Sequence, residues 1–204
     1  MGIYDKYFLP RILDFAMRNK DSARLRALRI PQARGDVFEV GIGSGLNLPF
    51  YSQEVRRVYG ADPSVELGRM ARKRAAGQRV PVEFLVQSAE SAIPLADASV
   101  DTVVSTWTLC SIPNALAALR EMRRVLKPGG SFIFVEHGRS PEAKVVRWQD
   151  RLNPMWKRVC GGCNINRQID QLIESGGFRI AELRNEYLPG PRAASYVYHG
   201  VAQG

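Results

Sequence analysis

The sequence predicts an α/β fold in which a mostly parallel sheet carries helices on both faces. Three observations predict it. From residue 36 to residue 136, short apolar runs alternate with longer amphipathic ones, the pattern of right-handed βαβ crossovers. The first apolar run, Asp36-Val37-Phe38-Glu39-Val40, ends in a glycine-rich turn. Near the C-terminus the pattern changes: residues 178–187 and 194–202 read as two strands joined by Pro189-Gly190-Pro191, an antiparallel pair.

Taken in order, residues 3–29 show helical spacing of Ile3, Tyr7, Phe8, Ile12, Phe15 and Ala16, with basic residues on the other faces. Pro10 interrupts that spacing and predicts two short helices rather than one. Strands follow near 36–40, 56–61, 81–86, 100–105 and 130–136. Helices are expected near 46–53, 64–76 and 114–126. Residues 138–170, rich in Trp, Arg and Asn, fit neither period. The chain thus divides into an N-terminal helical segment at 1–34 and one α/β domain at 35–204, with an insertion at about 138–170.

Composition limits the function classes. The 204 residues suffice for one domain with a real core, and 45% hydrophobic with 24% charged residues describes a globular chain. No run of about 18 apolar residues is present, and the N-terminal sequence lacks a secretory pattern. Three cysteines, Cys110, Cys160 and Cys163, cannot all pair, which agrees with a reducing, cytoplasmic location. The formal charge is +9, and residues 1–34 hold eight basic residues against Asp5, Asp14 and Asp21. Such a surface attracts nucleic acid, anionic headgroups or small anions.

The turn Gly41-Ile42-Gly43-Ser44-Gly45 lets the backbone bend sharply and approach a ligand. Its G-x-G-x-G spacing differs from the dinucleotide fingerprint G-x-G-x-x-G. About 20 residues on, Asp62 ends the second strand, where it either accepts bonds from ribose hydroxyls or caps a helix with Pro63 at the first helical position.

These residues, with Glu39, Ser88-Ala89-Glu90, Val100-Asp101-Thr102-Val103-Val104 and Leu126-Lys127-Pro128-Gly129-Gly130, resemble class I S-adenosylmethionine-dependent methyltransferases over about residues 35–137. The resemblance implies a Rossmann-like three-layer sandwich, with a seven-stranded, mostly parallel sheet and an antiparallel last strand. It implies S-adenosylmethionine as cofactor. Glu39, Gly41, Gly43 and Gly45 would hold the methionine end, Asp62 the ribose, and Ser88 and Ala89 would flank the adenine, with Asn47, Pro63, Glu90, Ser105 and Thr106 also among the cofactor-binding residues. Many relatives have Asp where Ser88 stands.

Further motifs, Thr108-Leu109-Cys110-Ser111-Ile112, Val135-Glu136-His137, Trp148-Gln149, Pro154-x-Trp156 and Gly162-Cys163-Asn164-x-x-Arg167, resemble the methyltransferase-like seven group, the alkyl thiol S-methyltransferases of animals. The resemblance implies thiol methylation of a small, largely apolar acceptor. That group begins with a hydrophobic anchor, and this N-terminus departs from it. His137, at the end of the fifth strand, is the candidate base or else bonds a backbone carbonyl. Cys110, Trp148, Trp156 and Arg167 are the candidate acceptor pocket; the plain alternatives are a small core for the tryptophans and Cys110, and a solvated face for Arg147, Lys157 and Arg167. Cys160 and Cys163 have C-x-x-C spacing without a second ligand pair, so no metal is expected.

The loop Ser105-Thr106-Trp107-Thr108-Leu109-Cys110-Ser111 lacks both the Asn/Asp-Pro-Pro-Tyr sequence used on exocyclic amines and a Pro-Cys nucleophile pair. Nucleic acid is therefore not the expected partner, despite the charge. Two rivals stand beside the thiol reading. One is N-methylation of a phospholipid headgroup or other small molecule, with residues 1–29 lying on an anionic membrane. The other is a basic nucleic-acid-binding protein that retains the cofactor fold.

Overall fold

The computed structural model describes residues 8–87 and 92–204. Two helices, α1 (Leu9–Ala16) and α2 (Lys20–Arg29), precede the sheet. The strands are β1 (Gly35–Val40), β2 (Val55–Ala61), β3 (Val82–Leu85), β4 (Val100–Thr106), β5 (Leu126–His137), β6 (Arg179–Tyr187) and β7 (Tyr196–Gln203). Between them lie α3 (Val65–Ala75), α4 (Ala115–Val125), α5 (Ala143–Val159) and α6 (Ile169–Ser175).

The seven strands are ordered β3-β2-β1-β4-β5-β7-β6, and β7 runs against both of its neighbours. Order reverses between β1 and β4, the switch point where open α/β sheets bind ligands beyond the carboxyl ends of their strands. Register places those ends along one edge: Val40 pairs with Ala61 and Ser105, and Thr106 pairs with Val135.

Alternation along the strands builds two cores. Phe38, Val103, Phe132 and Phe134 pack with Leu119, Met122, Ile169 and Ile173 on one face. Val37, Val58, Val104 and Ile133 pack with Ile30 and Leu48 on the other.

Three local expectations change. Pro10 heads α1, where its missing N–H costs nothing, and the break falls at residues 17–19, where the Asn19 side chain accepts from the Ser22 amide at 2.8 Å to cap α2; Ile3 and Tyr7 lie outside the described residues. The helix expected at 46–53 is only a 3-10 turn, Leu48–Phe50. Pro49 has no N–H to continue the ladder, and Tyr51 leaves the turn to donate its hydroxyl to Glu39 Oε2 at 2.6 Å. The patternless stretch at 138–170 contains a 17-residue helix, α5, with Pro154 inside it. Its fully buried Gln149 accepts from the Ser140 amide and donates to the Gly138 and Ile165 carbonyls, joining the segments on either side.

The basic N-terminal segment also differs from a solvated face. Arg26 and Arg29 of α2 are buried. Arg29 pairs with Glu182 at 2.9 Å and donates to His199 Nδ1 at 3.0 Å. On α1, buried Asp14 accepts from Arg18 and Arg74, and Arg74 in turn bonds the Ser44 carbonyl of the glycine-rich turn.

Candidate active site

At the end of β1, Glu39 is 1% exposed. Its Oε1 accepts from Asn47 Nδ2 at 2.8 Å and its Oε2 from Tyr51. Burial pushes its carboxyl up to about 7, despite these bonds. Asn47 also donates to Thr106 Oγ1 at 2.9 Å and accepts from Arg26 Nε at 3.1 Å, linking β1, β4 and α2.

The turn that follows needs its glycines. Gly41, Gly43 and Gly45 all have positive φ, and a Cβ at Gly41 would lie 2.1 Å from Thr108 Oγ1. A Cβ at Gly43 would meet only the Gly41 carbonyl at 3.8 Å, so the space above this residue is open. The Gly43 amide donates to Asp62 Oδ2 at 3.0 Å, and the Ser64 amide to Asp62 Oδ1 at 2.8 Å. Burial raises the Asp62 carboxyl. Ser64, not Asp62, caps α3, which begins at Val65; Pro63 therefore precedes the cap rather than opening the helix. Ser88, Ala89 and Glu90 lie outside the described residues.

Beyond β4 a buried carboxylate shapes the loop. Glu136 is 0% exposed, and its Oε1 accepts from Ser105 Oγ at 2.6 Å and from the amides of Thr108 and Leu109. Its Oε2 accepts from the Cys110 amide at 3.1 Å. Burial raises this carboxyl too. Ser105, expected beside the cofactor, instead directs its hydroxyl to Glu136, because successive strand residues face opposite sides and Thr106 takes the Asn47 side. Trp107 follows at φ +50, a strained conformation for a non-glycine residue, and the Arg26 guanidinium lies 4.7 Å over its ring.

The acceptor-pocket candidates separate. Trp148 is 57% exposed on α5, with the Arg151 guanidinium 5.8 Å from its ring centroid. Arg167 ties down the loop after β4: its Nη1 donates to the Leu109 and Ile112 carbonyls at 2.6 and 2.9 Å. Arg147 and Lys157 are exposed. Trp156 packs with Cys110, Cys163 and Ile165.

The sulfur atoms pair differently from their sequence spacing. Cys163 does not join Cys160 as a C-x-x-C pair; its sulfur lies 3.5 Å from that of buried Cys110 and 3.9 Å from His137 Nδ1. The three atoms lie within 4.8 Å of one another, a set of donors able to face a soft ion or a sulfur ligand. The Cys163 sulfur and burial raise the Cys110 thiol, whereas the hydrogen bond between the two sulfurs lowers Cys163. His137 is half-buried at the last position of β5, and no carboxylate among the described residues orients it. Glu136, Asn47 as a three-way link and Arg26 are buried polar positions at these strand ends that spacing alone understated.

A family model described as "Methyltransferase domain" matches residues 38–134. The human thiol S-methyltransferase TMT1A is 36% identical over 193 residues, covering 90% of this chain and 78% of that protein. The chain belongs to the S-adenosylmethionine-dependent methyltransferases. Within them it stands close to the TMT1 group: rat TMT1B is also 36% identical over 158 residues, covering 76% of this chain and 64% of its own length. The chain thus spans less than two thirds of the rat relative. In fold it is similar to a putative methyltransferase solved with the Haloferax volcanii Trm112 activator, at a TM-score of 0.72 and 19% identity, covering 96% of this chain and 97% of that one. This methyltransferase uses S-adenosylmethionine as methyl donor. None of its described helices is long and apolar enough to cross a membrane.

Proposed function

We propose that the protein S-methylates a small, largely apolar thiol. The observation that carries this reading is the acceptor-side wall formed by His137, Cys110 and Cys163, in a chain 36% identical to a thiol S-methyltransferase. Glu39, Gly41, Gly43, Gly45 and Asn47 hold the methionine end of the cofactor, and Asp62 the ribose; Pro63 and Thr106 border this cleft. The buried Glu39 carboxyl, the open space over Gly43 and the paired Asp62 all fit such a ligand. Bound there, S-adenosylmethionine supplies an electrophilic methyl group on a sulfonium.

The chain's own contribution is alignment, exclusion of water and removal of one proton. A thiol as acidic as the cysteine side chain ionises near pH 8.5, so about 1% is thiolate two units lower, and a less acidic alkyl thiol holds less still. His137, at the sheet edge, takes the thiol proton as the sulfur is methylated; the products are a thioether and the demethylated cofactor, and the proton passes on to solvent. Glu136 and Arg167 hold the loop that brings Cys110 to this wall. Residues 8–34 close the methionine side and residues 138–170 cap the acceptor side. A methyl-transfer screen with labelled cofactor across alkyl thiols, phospholipids, quinols and RNA tests the reading: label in the thioether supports it.

We also propose peripheral contact with an anionic membrane through α1. Phe8, Ile12 and Phe15 are 58%, 51% and 82% exposed, at helical spacing and beside Arg11 and Arg18. Co-sedimentation with anionic vesicles at low salt, lost on removing residues 1–29, is the expected result; no binding at low salt contradicts it.

A further inference from the structure

Arg26 is a buried cation with no carboxylate in direct contact among the described residues; the nearest opposite charge on its path, Glu39, stands one side-chain amide away. It is 4% exposed, with its face on Trp107 and two of its nitrogens donating to neutral acceptors, Asn47 Oδ1 and the Met17 carbonyl at 2.8 Å. No carboxylate among the described residues makes an ion pair with it. Arg29 and Arg74, the neighbouring inward-facing arginines, differ: they pair with Glu182 and Asp14. Holding a charge away from water without a partner is costly, and folding alone does not explain why it is kept.

The surroundings indicate what would complete it. Asn47 bonds Arg26 through its oxygen and Glu39 through its nitrogen, so one side-chain amide separates a buried guanidinium from a buried carboxylate. Opposite charges one amide apart are complementary to an α-amino-acid zwitterion: the ammonium at Glu39, the carboxylate at the guanidinium. Guanidinium groups bind carboxylates well because their planar forks match.

We propose that Arg26 is the carboxylate subsite for the amino-acid end of S-adenosylmethionine, carried into the site by the N-terminal helix α2. This rests on the cofactor placement above and extends it to a residue that lies ahead of the sheet. It also gives part of the N-terminal positive charge a role inside the protein rather than on its surface. Because the same guanidinium stacks on Trp107, the first residue after β4, cofactor binding and the shape of the acceptor loop meet at one side chain.

The test uses the cofactor and its decarboxylated analogue, which lacks only the carboxylate, each titrated calorimetrically into the full chain. The wild-type protein binds the analogue about 10- to 100-fold more weakly than S-adenosylmethionine. Arg26→Gln weakens S-adenosylmethionine by a similar factor and binds the two compounds alike, whereas Arg26→Lys retains part of the preference. A merely structural arginine would not produce that discrimination. Wild-type protein that binds both compounds equally, or Arg26→Gln protein that keeps the full preference, overturns the subsite while leaving the cofactor reading intact. Should Arg26→Gln fail to fold, the wild-type comparison still decides. Wild-type protein that binds neither compound overturns the cofactor placement, and the subsite with it.

Discussion

The two halves of the site are built by different means. The cofactor half, at the ends of β1 and β2, is shaped mainly by backbone: three glycines at positive φ and amides donating to Asp62. The acceptor half, at the ends of β4 and β5, is held by buried side chains that reach across the sequence to backbone groups. Glu136 captures three amides of the loop after β4, and Arg167 captures two of its carbonyls. A backbone-built site changes by strain at a few positions. A site built from side chains fails when one buried partner is removed.

The largest effect is therefore expected at Glu136. Glu136→Ala leaves three buried amides and the Ser105 hydroxyl without their acceptor, and costs at least about 3 kcal/mol in urea unfolding. In whatever folded fraction remains, methyl transfer falls further than cofactor binding. Equal losses in both would mean that the two halves are not separable.

His137→Ala comes next, and sharpens the acceptor half. A general base contributes about 100-fold or more. The rate deficit should be large near pH 6.5, where the thiol is almost wholly protonated, and smaller near pH 9, where more of it is already thiolate. Equal deficits at both values remove the base role.

On the cofactor half, Asp62→Ala should weaken S-adenosylmethionine by about 1–3 kcal/mol in calorimetry, since ribose hydroxyls lose a charged acceptor and the Gly43 amide its anchor. Unchanged affinity would contradict the placement of the site.

The smallest expected effect concerns the link between α1 and this half. Burial alone would raise the Asp14 carboxyl, but bonds from Ser44, Arg18 and Arg74 outweigh it and hold it below 3.8. A depressed folded value means that the interaction is complete above the unfolded value and is lost as pH falls through the folded one. Acidification below about pH 4 should thus weaken wild-type protein more than Asp14→Asn, read as the pH slope of the unfolding midpoint. Parallel slopes would show that the link contributes nothing.

This contrast also explains what was legible in the sequence. Strand-helix alternation and the glycine-rich turn are local signals, so the strands of the parallel sheet and the candidates Glu39 and Asp62 at their ends follow from residues close in the chain. The pairing of Cys163 with Cys110 spans 53 residues, and the Arg167 bonds span 58 and 55. No spacing rule reaches that far, and the C-x-x-C spacing of Cys160 and Cys163 carries no sign of Cys110. Trp148 and Trp156 lie eight residues apart on α5, yet one faces solvent and the other packs against the cysteines, a difference set by what the helix rests on. Arg26 and Arg29 were hidden for a related reason: a basic helix reads as solvated until the sheet edge that buries it is in place.

The central claim is that this methyltransferase acts on a thiol sulfur. Incubating the protein with labelled S-adenosylmethionine and matched alkyl thiol, alcohol and amine acceptors tests it most directly, with products separated by mass. The account predicts label in the thioether alone, with one demethylated cofactor formed per methyl transferred. Label in the alcohol or the amine, with none in the thioether while the cofactor binds normally, would contradict it.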